Sequence, residues 1–430
     1  MTTESGQAAT APIPVVAASI GWRDSLVALR LPNYRLYLVG QVFANSGGQM
    51  AGIALDWLIL ELSHDVALVG LAVTLGFLPT VLLGPWAGVV SDRFSRRRTL
   101  IICMSASTII DGVLAVLALS GTAQVWEVLG GAAIGGVTTA IDQPSRAAFI
   151  AEMVGTERLG NAIALTAVVW QFAGLLGPGI SGLLIAAVGS GWSIAVSAVT
   201  TFISVAAVAL MRRDELFRAP AVGRHGAGIR GALTYIGRKP TIIWCLLLLG
   251  VVSVFSMNQG VLLSAMAAGT FHSGAAGYGL YSAMSAVGAL VGAALAARYP
   301  RYQLRVIVLW TMLLGAVTMA GAVPVLGVFL PAIVAGGALQ LLFTTSDETL
   351  TQLSARAAIR GRIMAFFLIV TFGGRALGGL LIGQVAQQGG PQLGFLVSGA
   401  VPLLAGAVAA LVLFRLRPEI DDPLGKGDAS

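Results

Sequence analysis

The sequence contains few charged residues. Only 10% of its 430 residues are Asp, Glu, Lys or Arg, whereas 57% are hydrophobic. Soluble globular domains carry roughly 25% charged residues, so this composition excludes an ordinary soluble protein and indicates a chain that folds in lipid. A net charge of +7 can attract nucleic acid, but the positions of the basic residues explain it by membrane topology, and we expect no nucleic-acid partner.

Histidine, cysteine and catalytic motifs are scarce as well. His64 and His272 fall in predicted loops and His225 in a polar linker, which excludes a histidine proton relay inside the membrane. Cys103 and Cys245 lie in apolar runs, where each is interpreted as a small buried side chain. The sequence has no phosphate-binding loop, Gly-x-Ser-x-Gly elbow or His-rich cluster. We therefore predict no enzyme, no ATP-driven pump, no metal site and no cofactor.

Twelve apolar runs are long enough to cross a bilayer as helices, which takes about 20 residues each. Spans 1–6 are 34–62, 66–90, 99–120, 124–150, 159–187 and 191–211; spans 7–12 are 240–270, 275–299, 304–323, 325–351, 359–388 and 392–414. These runs predict an N-terminal tail over 1–33, a six-helix lobe over 34–211, a linker over 212–239, a second six-helix lobe over 240–415 and a C-terminal tail over 416–430.

The basic residues predict the orientation of these spans. Of the 26 Lys and Arg residues, all but Arg375 lie in or beside alternate loops on one side of the membrane, and Arg375 lies at mid-membrane depth in span 11. Lys and Arg accumulate in cytoplasmic loops. We therefore expect both termini and the linker in the cytoplasm, and a multi-pass protein surrounded by the lipid bilayer.

The two sets of six spans look like copies of one another. With an offset of 201 residues, 159–182 aligns with 360–383. Identical pairs include Gly160 with Gly361, Gly177 with Gly378, and Gly182 with Gly383. Parallel six-helix repeats indicate a two-lobed transporter with its site between the lobes near the bilayer midplane. Chance similarity between Gly- and Ala-rich helices is the alternative.

A specific motif lies between spans 2 and 3. It reads Gly88-Val-Val-Ser-Asp92-Arg93-Phe-Ser-Arg96-Arg97-Arg98 and resembles the signature of the major facilitator superfamily. An ordinary positive loop would explain the arginines but neither Asp92 nor Gly88. The resemblance implies a conformational gate that breaks when the lobes rock. Its expected members are Gly88, Asp92, Arg93, Arg96 and Arg97, together with Arg362.

Span 5 contains a second motif, Gly174-Leu-Leu-Gly177-Pro178-Gly179-Ile-Ser-Gly182. It resembles the Gly-Pro motif of exporters in this superfamily. Gly174, Gly177, Pro178 and Gly182 are expected to permit a kink and close helix packing. Ordinary packing of small residues between membrane helices is the alternative.

Further segments resemble the bacterial branch that includes enterobactin exporters. They are Asp142-Gln-Pro144-Ser-Arg146, Asn161-Ala-Ile-Ala-Leu165, Arg360-Gly361-Arg362 and 54–62, within a resemblance that covers most of 30–415. The resemblance implies an all-α membrane protein with the major facilitator fold, twelve transmembrane helices in two pseudo-symmetric lobes, in the bacterial cytoplasmic (inner) membrane. We expect a monomer. Gly131 stands near the place of the Arg familiar from drug–proton antiporters, so their proton mechanism does not carry over.

Polar residues inside the spans are costly and mark candidate sites. Gln41, Asn45, Gln49 and Asp56 lie within about 80° of one another on span 1 and form one polar stripe. They are the candidate substrate and proton site together with Arg375. For Asp56, the alternative is a hydrated carboxylate near the outer interface.

Arg375 needs a carboxylate, a carbonyl or water in the membrane. Its possible partners are Asp56, Asp111 or an anionic substrate, and a structural ion pair is as acceptable as substrate binding. Asp142 and Arg146 are four residues apart on a helix, so they form either a plain ion pair or a secondary gate. Asp347 lies near the cytoplasmic end of span 10, and we interpret it as a residue of the cytoplasmic mouth of the transport route or of a gate.

The leading functional hypothesis is proton-coupled export of a small amphipathic compound, drug-like or siderophore-like, by alternating access. Uptake or facilitated diffusion of a nutrient is the alternative within transport. A non-transporting membrane scaffold is the alternative from another class, although a scaffold has no need of polar stripes that face a cavity.

Overall fold

The computed structural model describes residues 24–212, 229–298, 302–356 and 359–415, and within them it contains helices and no strand. A 3₁₀ helix at Asp24–Arg30 is followed by α1 (Pro32–Ser63), α2 (Val66–Arg93), α3 (Arg96–Ser120), α4 (Val125–Val188), α5 (Ser190–Ala209), α6 (Ile229–Arg238), α7 (Pro240–Phe255), α8 (Gln259–Ala265), a π-helical turn (Met266–Thr270), α9 (Gly274–Arg298), α10 (Leu304–Ala320), α11 (Leu326–Ser354) and α12 (Arg360–Arg415).

Two of these helices each contain two predicted spans. α4 carries spans 4 and 5, and α12 carries spans 11 and 12; each has one non-helical residue, Gly155 with φ 70° and Gly390 with φ 79°. Glycine adopts this left-handed conformation without a Cβ penalty, so one residue suffices to redirect the chain. Eight described stretches are long and apolar enough to cross a membrane, and α10 is a shorter apolar helix. The protein is therefore a multi-pass membrane protein.

Span 7 differs from its prediction as one continuous helix. α7 ends at Phe255 and α8 begins at Gln259, with a non-helical connection between them. Asn258 Nδ2 donates hydrogen bonds to the carbonyl oxygens of Ser253 at 3.3 Å and Val254 at 3.1 Å. The last carbonyl groups of a helix have no partner within the helix, and lipid supplies no hydrogen bonds. The Asn258 side chain provides the partners for two such carbonyls at the end of α7.

The buried core consists of several hydrophobic clusters. They differ in whether they contain residues of both the first set of six spans (34–211) and the second set (240–415), or of one set alone. One cluster contains residues of both sets, such as Leu60 and Val69 with Val261 and Ile382. These residues lie near His64 and His272, at the end of the bundle that we call the His64 end. Two further large clusters, and a small one that contains Ile242, each belong to one set and lie at the opposite, Arg98 end.

The cluster of the first set includes Tyr34, Met104 and Val208. The cluster of the second set includes Leu248 and Phe367. Among the described residues, the sets therefore share a core at the His64 end and have separate cores at the Arg98 end.

Glycines allow the two sets to approach closely at two places. Gly70 of α2 lies against Gly379 and Gly383 of α12, and a methyl group at Gly70 would overlap the Gly379 carbonyl oxygen. Gly182 of α4 lies against Gly279 of α9, where an added Cβ would come within 2.7 Å of the Gly279 Cα. Small residues let membrane helices pack backbone to backbone. Gly182 and Gly383 are an identical pair in the sequence repeat, so both contacts use equivalent positions.

Candidate translocation site

Asp56 connects the two sets of helices. Its carboxylate Oδ2 accepts a hydrogen bond from the Tyr278 hydroxyl of α9 at 2.7 Å. Trp57 packs against the Tyr278 ring, with centroids 6.4 Å apart. A Cβ at Gly260 of α8 would lie 3.3 Å from the Tyr278 hydroxyl and 3.7 Å from Asp56 Oδ2, so the broken span 7 covers the pair. Asp56 is thus a partly buried carboxylate with a partner, not simply a hydrated one.

The other polar residues of the span 1 stripe lie in different surroundings. Gln41 is 1% exposed and accepts a hydrogen bond from Arg146 Nη1. Gln49 packs against Gly174 and Gly177 of α4. Asn45, between them, is half-buried. One face of α1 therefore carries the predicted stripe, but its members contact three separate groups of neighbours.

Arg375 of α12 lies against an aromatic pair. Its guanidinium carbon is 4.1 Å from the centroid of the Phe77 ring of α2, and Phe77 stacks on Phe372 with centroids 5.7 Å apart. Arg375 Nε is buried without a hydrogen-bond partner, and no ion pair among the described residues includes Arg375. Beside it, the Thr74 hydroxyl donates to the Ala376 carbonyl oxygen at 2.6 Å and joins α2 to α12.

Asp142 and Arg146 form an ion pair within α4, with Arg146 Nη2 2.7 Å from Asp142 Oδ2. Arg146 also donates to Gln41, and the Tyr37 ring is buried beside the pair. Every one of these contacts stays within the first set. The arrangement matches the plain intrahelical pair that the spacing predicts.

Asp347 lies in the interior of the second set and not at an exposed mouth. Its side chain is 0% exposed, and neither carboxylate oxygen has a hydrogen-bond partner among the described residues. Cys245 of α7 and Thr351, both 0% exposed, are its neighbours. Burial of a carboxyl group without a hydrogen-bond partner is costly.

The predicted gate loop is held by contacts within the first set. Arg96 Nη1 lies 2.7 Å from Glu152 Oε1. Arg97 donates to the carbonyl oxygens of Val208 at 3.0 Å and Ala209 at 2.7 Å, at the C-terminal end of α5. Cations favour this end because the helix dipole is negative there.

The remaining gate residues are described less fully. The side chains of 87–93 lie outside the described part of the structure. This stretch contains the gate residues Gly88, Asp92 and Arg93. Arg362 lies near the start of α12, and its Nη1 is buried without a partner.

The Gly-Pro motif forms a packing surface. The backbone of α4 stays helical through Pro178, and the described break in its dihedral angles is at Gly155. A Cβ at Gly177 would come within 2.9 Å of the Ser46 carbonyl oxygen of α1. Gly182 contacts α9 in the second set, as described above. The glycines thus place α4 between α1 and α9.

Two features of the site escaped sequence reasoning. Tyr278, the partner of Asp56, is an aromatic residue between two glycines and gave no polar signal. Phe77 and Phe372 were two apolar residues among many in their spans. A search for aromatic residues next to glycines, at the depth of Arg375, would have found both rings.

The fold is shared with solved major facilitator transporters. The D-xylose–proton symporter superimposes with a TM-score of 0.68 at 15% identity, over 90% of this chain and 98% of that one. A bacterial homologue of the lysosomal transporter spinster gives a TM-score of 0.67 at 15% identity, over 87% and 97%. These likenesses define the class, an all-helical membrane protein with the major facilitator fold.

The sequence comparisons then give the family. Residues 24–424 match the family model described as transmembrane secretion effector, and the chain belongs to this family. The enterobactin exporter of Citrobacter koseri is 26% identical over 418 residues, 92% of this chain and 95% of that protein. The staphyloferrin A transporter of Staphylococcus aureus is 26% identical over 160 residues, 37% of this chain and 40% of that protein. The predicted superfamily is confirmed, and the chain is a transporter and not an enzyme.

Proposed function

We propose that the protein is a proton-driven exporter of the bacterial cytoplasmic membrane, which moves a small amphipathic compound by alternating access. The first and second sets of helices are its two lobes, and 212–239 is the linker between them. The transport route runs between the lobes, as expected for six-helix repeats of this kind.

The division of the core is the observation that carries this proposal. Among the described residues, the two sets share a hydrophobic cluster at the His64 end and have separate clusters at the Arg98 end. A rocker switch has this geometry in a state that is closed at one end and open at the other. The arginine distribution predicts that the Arg98 end is cytoplasmic, so we infer that the described state is open to the cytoplasm.

Efflux is supported by the relatives. The family is described as one of secretion effectors, and the relative that matches 92% of this chain is named an enterobactin exporter. We infer that the substrate is a siderophore-like or drug-like amphipathic compound. Loading from the cytoplasmic side agrees with an opening at the Arg98 end.

The loop around Asp92 is the proposed cytoplasmic gate. In the described open state, Arg96 and Arg97 bind groups of the first lobe. Closure would bring this loop towards the start of α12, where the buried Arg362 Nη1 has no partner. We infer that Arg362 is the group on the second lobe that Asp92 meets when the gate closes.

Transport of enterobactin into inverted membrane vesicles tests the proposal. Their cytoplasmic face is outside, and the host strain lacks its own enterobactin exporter. We expect enterobactin to accumulate in the lumen when the lumen is acidified, and accumulation to stop when a protonophore is added. Accumulation confined to right-side-out vesicles would establish uptake instead. No flux of enterobactin or of a drug panel in either orientation would contradict the transport proposal and favour a membrane scaffold.

Asp56 is the proposed proton site, because it is a carboxyl group bonded across the two lobes. Adding a proton changes its hydrogen bond with Tyr278, which ties protonation to closure at the His64 end. We expect Asp56→Asn to abolish accumulation driven by the pH gradient and to retain flux down a substrate gradient. Asp111→Asn is the matched control, since Asp111 accepts its hydrogen bond from Ser197 within the first lobe at 3.0 Å. Unchanged proton-driven accumulation in Asp56→Asn would remove Asp56 from the mechanism.

A further inference from the structure

Arg375 is a cation inside the membrane without a counter-charge in the described part of the protein. An intramembrane guanidinium is costly unless it meets an anion, polar groups or water. The two ion pairs among the described residues join Arg96 to Glu152 and Arg146 to Asp142. Neither pair includes Arg375.

The acidic residues that the sequence offered as partners are engaged elsewhere. Asp56 accepts its hydrogen bond from Tyr278, and Asp111 accepts its bond from Ser197. Asp347 is enclosed in the second lobe beside Cys245. Within the described ranges, therefore, Arg375 forms no structural ion pair, which is one of the two alternatives left by the sequence.

The guanidinium of Arg375 contacts an aromatic ring, and no hydrogen bond to it is formed among the described residues. Its carbon lies 4.1 Å from the centroid of the Phe77 ring, and Phe372 stacks on that ring with centroids 5.7 Å apart. A cation over an aromatic face is attracted by the quadrupole of the ring. This contact uses the π face of the guanidinium. The buried Nε has no partner, and the terminal Nη groups keep their hydrogen-bond donors for a ligand.

Arg375 also lies on the contact of α2 with α12, which joins the two lobes. Towards the His64 end, Thr74 bonds to Ala376 and Gly70 packs against Gly379. Towards the Arg98 end, the cores of the two lobes are separate. A compound that enters between the lobes from the Arg98 end therefore meets Arg375 before it meets these close contacts.

We propose that Arg375, with Phe77 and Phe372, binds the anionic group of the substrate, and that the substrate is an amphipathic anion with an aromatic or similarly flat apolar body. The guanidinium edge presents two parallel N–H donors, which match a carboxylate in bidentate geometry. The aromatic pair provides a surface for the apolar body beside that anion. This inference rests on the proposed export function, because it names the chemical class that the same route accepts.

Binding of a matched pair of probes tests the inference. The probes are 2-naphthoate and its neutral amide, 2-naphthamide, which differ in charge and hardly in shape. With the full-length protein in lipid nanodiscs, isothermal titration should show naphthoate bound more tightly by roughly tenfold, the scale of one charge-assisted hydrogen bond. Arg375→Gln should bind the two probes equally.

Two further variants make the test decisive. Arg35→Gln removes a positive charge from an exposed position of α1 and should keep the preference for naphthoate. Arg375→Lys keeps the charge without the bidentate edge and should keep a reduced preference, which covers the case in which Arg375→Gln does not fold. The assignment is overturned if the wild-type protein shows no preference for naphthoate, or if Arg375→Gln retains it. Vesicle transport of enterobactin is measured separately, so failure of the anion site and failure of export are distinguishable.

Discussion

Two aspartates inside the membrane spans show how differently one side chain can be used. Asp142 lies in α4 of the first set, and its carboxylate is paired with Arg146 at 2.7 Å. Asp347 lies in α11 of the second set, where the residue four positions later is Thr351 and not an arginine. The carboxyl group of Asp347 is buried without a hydrogen-bond partner among the described residues. One aspartate therefore has a base beside it and the other does not.

This difference predicts opposite effects of one substitution. Asp142→Asn leaves the partly buried guanidinium of Arg146 without its anion, and we expect the free energy of unfolding to fall by roughly 3 kcal/mol. Asp347→Asn replaces a carboxyl group that has no counter-charge by a neutral group of the same shape, so stability should be unchanged or higher. Thermal unfolding of both variants in the same detergent measures the difference. Equal losses would show that Asp347 also has a cationic partner.

The lobes meet through pairs of helices in which glycine replaces a side chain. α2 packs on α12 at Gly70 and Gly379, and α4 packs on α9 at Gly182 and Gly279. In the proposed alternating-access cycle these surfaces separate when the His64 end opens, so we expect their packing to set the balance between the two states. Overpacking a close contact costs about 1–3 kcal/mol.

Gly70→Ala tests this contact, with Gly76→Ala in the same helix as the control. A methyl group at Gly70 would overlap the Gly379 carbonyl oxygen, whereas a Cβ at Gly76 meets nothing within 4 Å. We expect Gly70→Ala to lower the melting temperature and to reduce enterobactin accumulation in inverted vesicles by roughly tenfold, as α2 is forced away from α12. Gly76→Ala should be neutral or slightly stabilising, since alanine favours helix over glycine. Equal behaviour of the two variants would contradict a tight contact at Gly70.

At the scale of the whole molecule, an alternating-access transporter must open one end as it closes the other. The described state has separate cores at the Arg98 end. A second state should therefore bring the lobes together at that end and part them at the His64 end. Spin labels at exposed positions on both sets of helices can follow the two ends separately. The two native cysteines, Cys103 and Cys245, are buried and can be replaced first, so that only the introduced cysteines are labelled.

Three pairs of spin labels test this motion. Their distances are measured by pulsed electron paramagnetic resonance with the protein in nanodiscs. Phe94 with Leu353 reports the Arg98 end, and Leu62 with Val325 reports the His64 end. A change between acidic and alkaline buffer should shift molecules from one state to the other. In the molecules that shift, the Phe94–Leu353 distance should shorten and the Leu62–Val325 distance should lengthen.

A third pair of labels, Leu119 with Val188, lies within the first lobe at exposed positions and should not change. Changes in the same direction at both ends, or none at either end under any condition, would contradict a rocker switch.

Much of the architecture could be predicted because hydropathy and charge are local properties of the chain. The apolar runs predict twelve spans, and these fall on the described helices. The break at Asn258 was missed, because the run 240–270 contains no charged residue and the short polar segment around Asn258 gives a weak signal. The joined helices α4 and α12 were divided correctly by composition, although a single glycine makes each turn.

The partners of the polar residues depended on the tertiary structure. The sequence predicted that Asp56, Asp142, Asp347 and Arg375 lie inside spans, and that every basic residue other than Arg375 lies in or beside loops on one side. It left Arg375 with three possible partners, because pairing depends on helices far apart in the chain. Tyr278, the partner of Asp56, is 222 residues away. Only the packing of α1 on α9 and of α2 on α12 decided that Asp56 meets a tyrosine, and that Arg375 meets an aromatic ring and no carboxylate of the part of the chain that the structure describes.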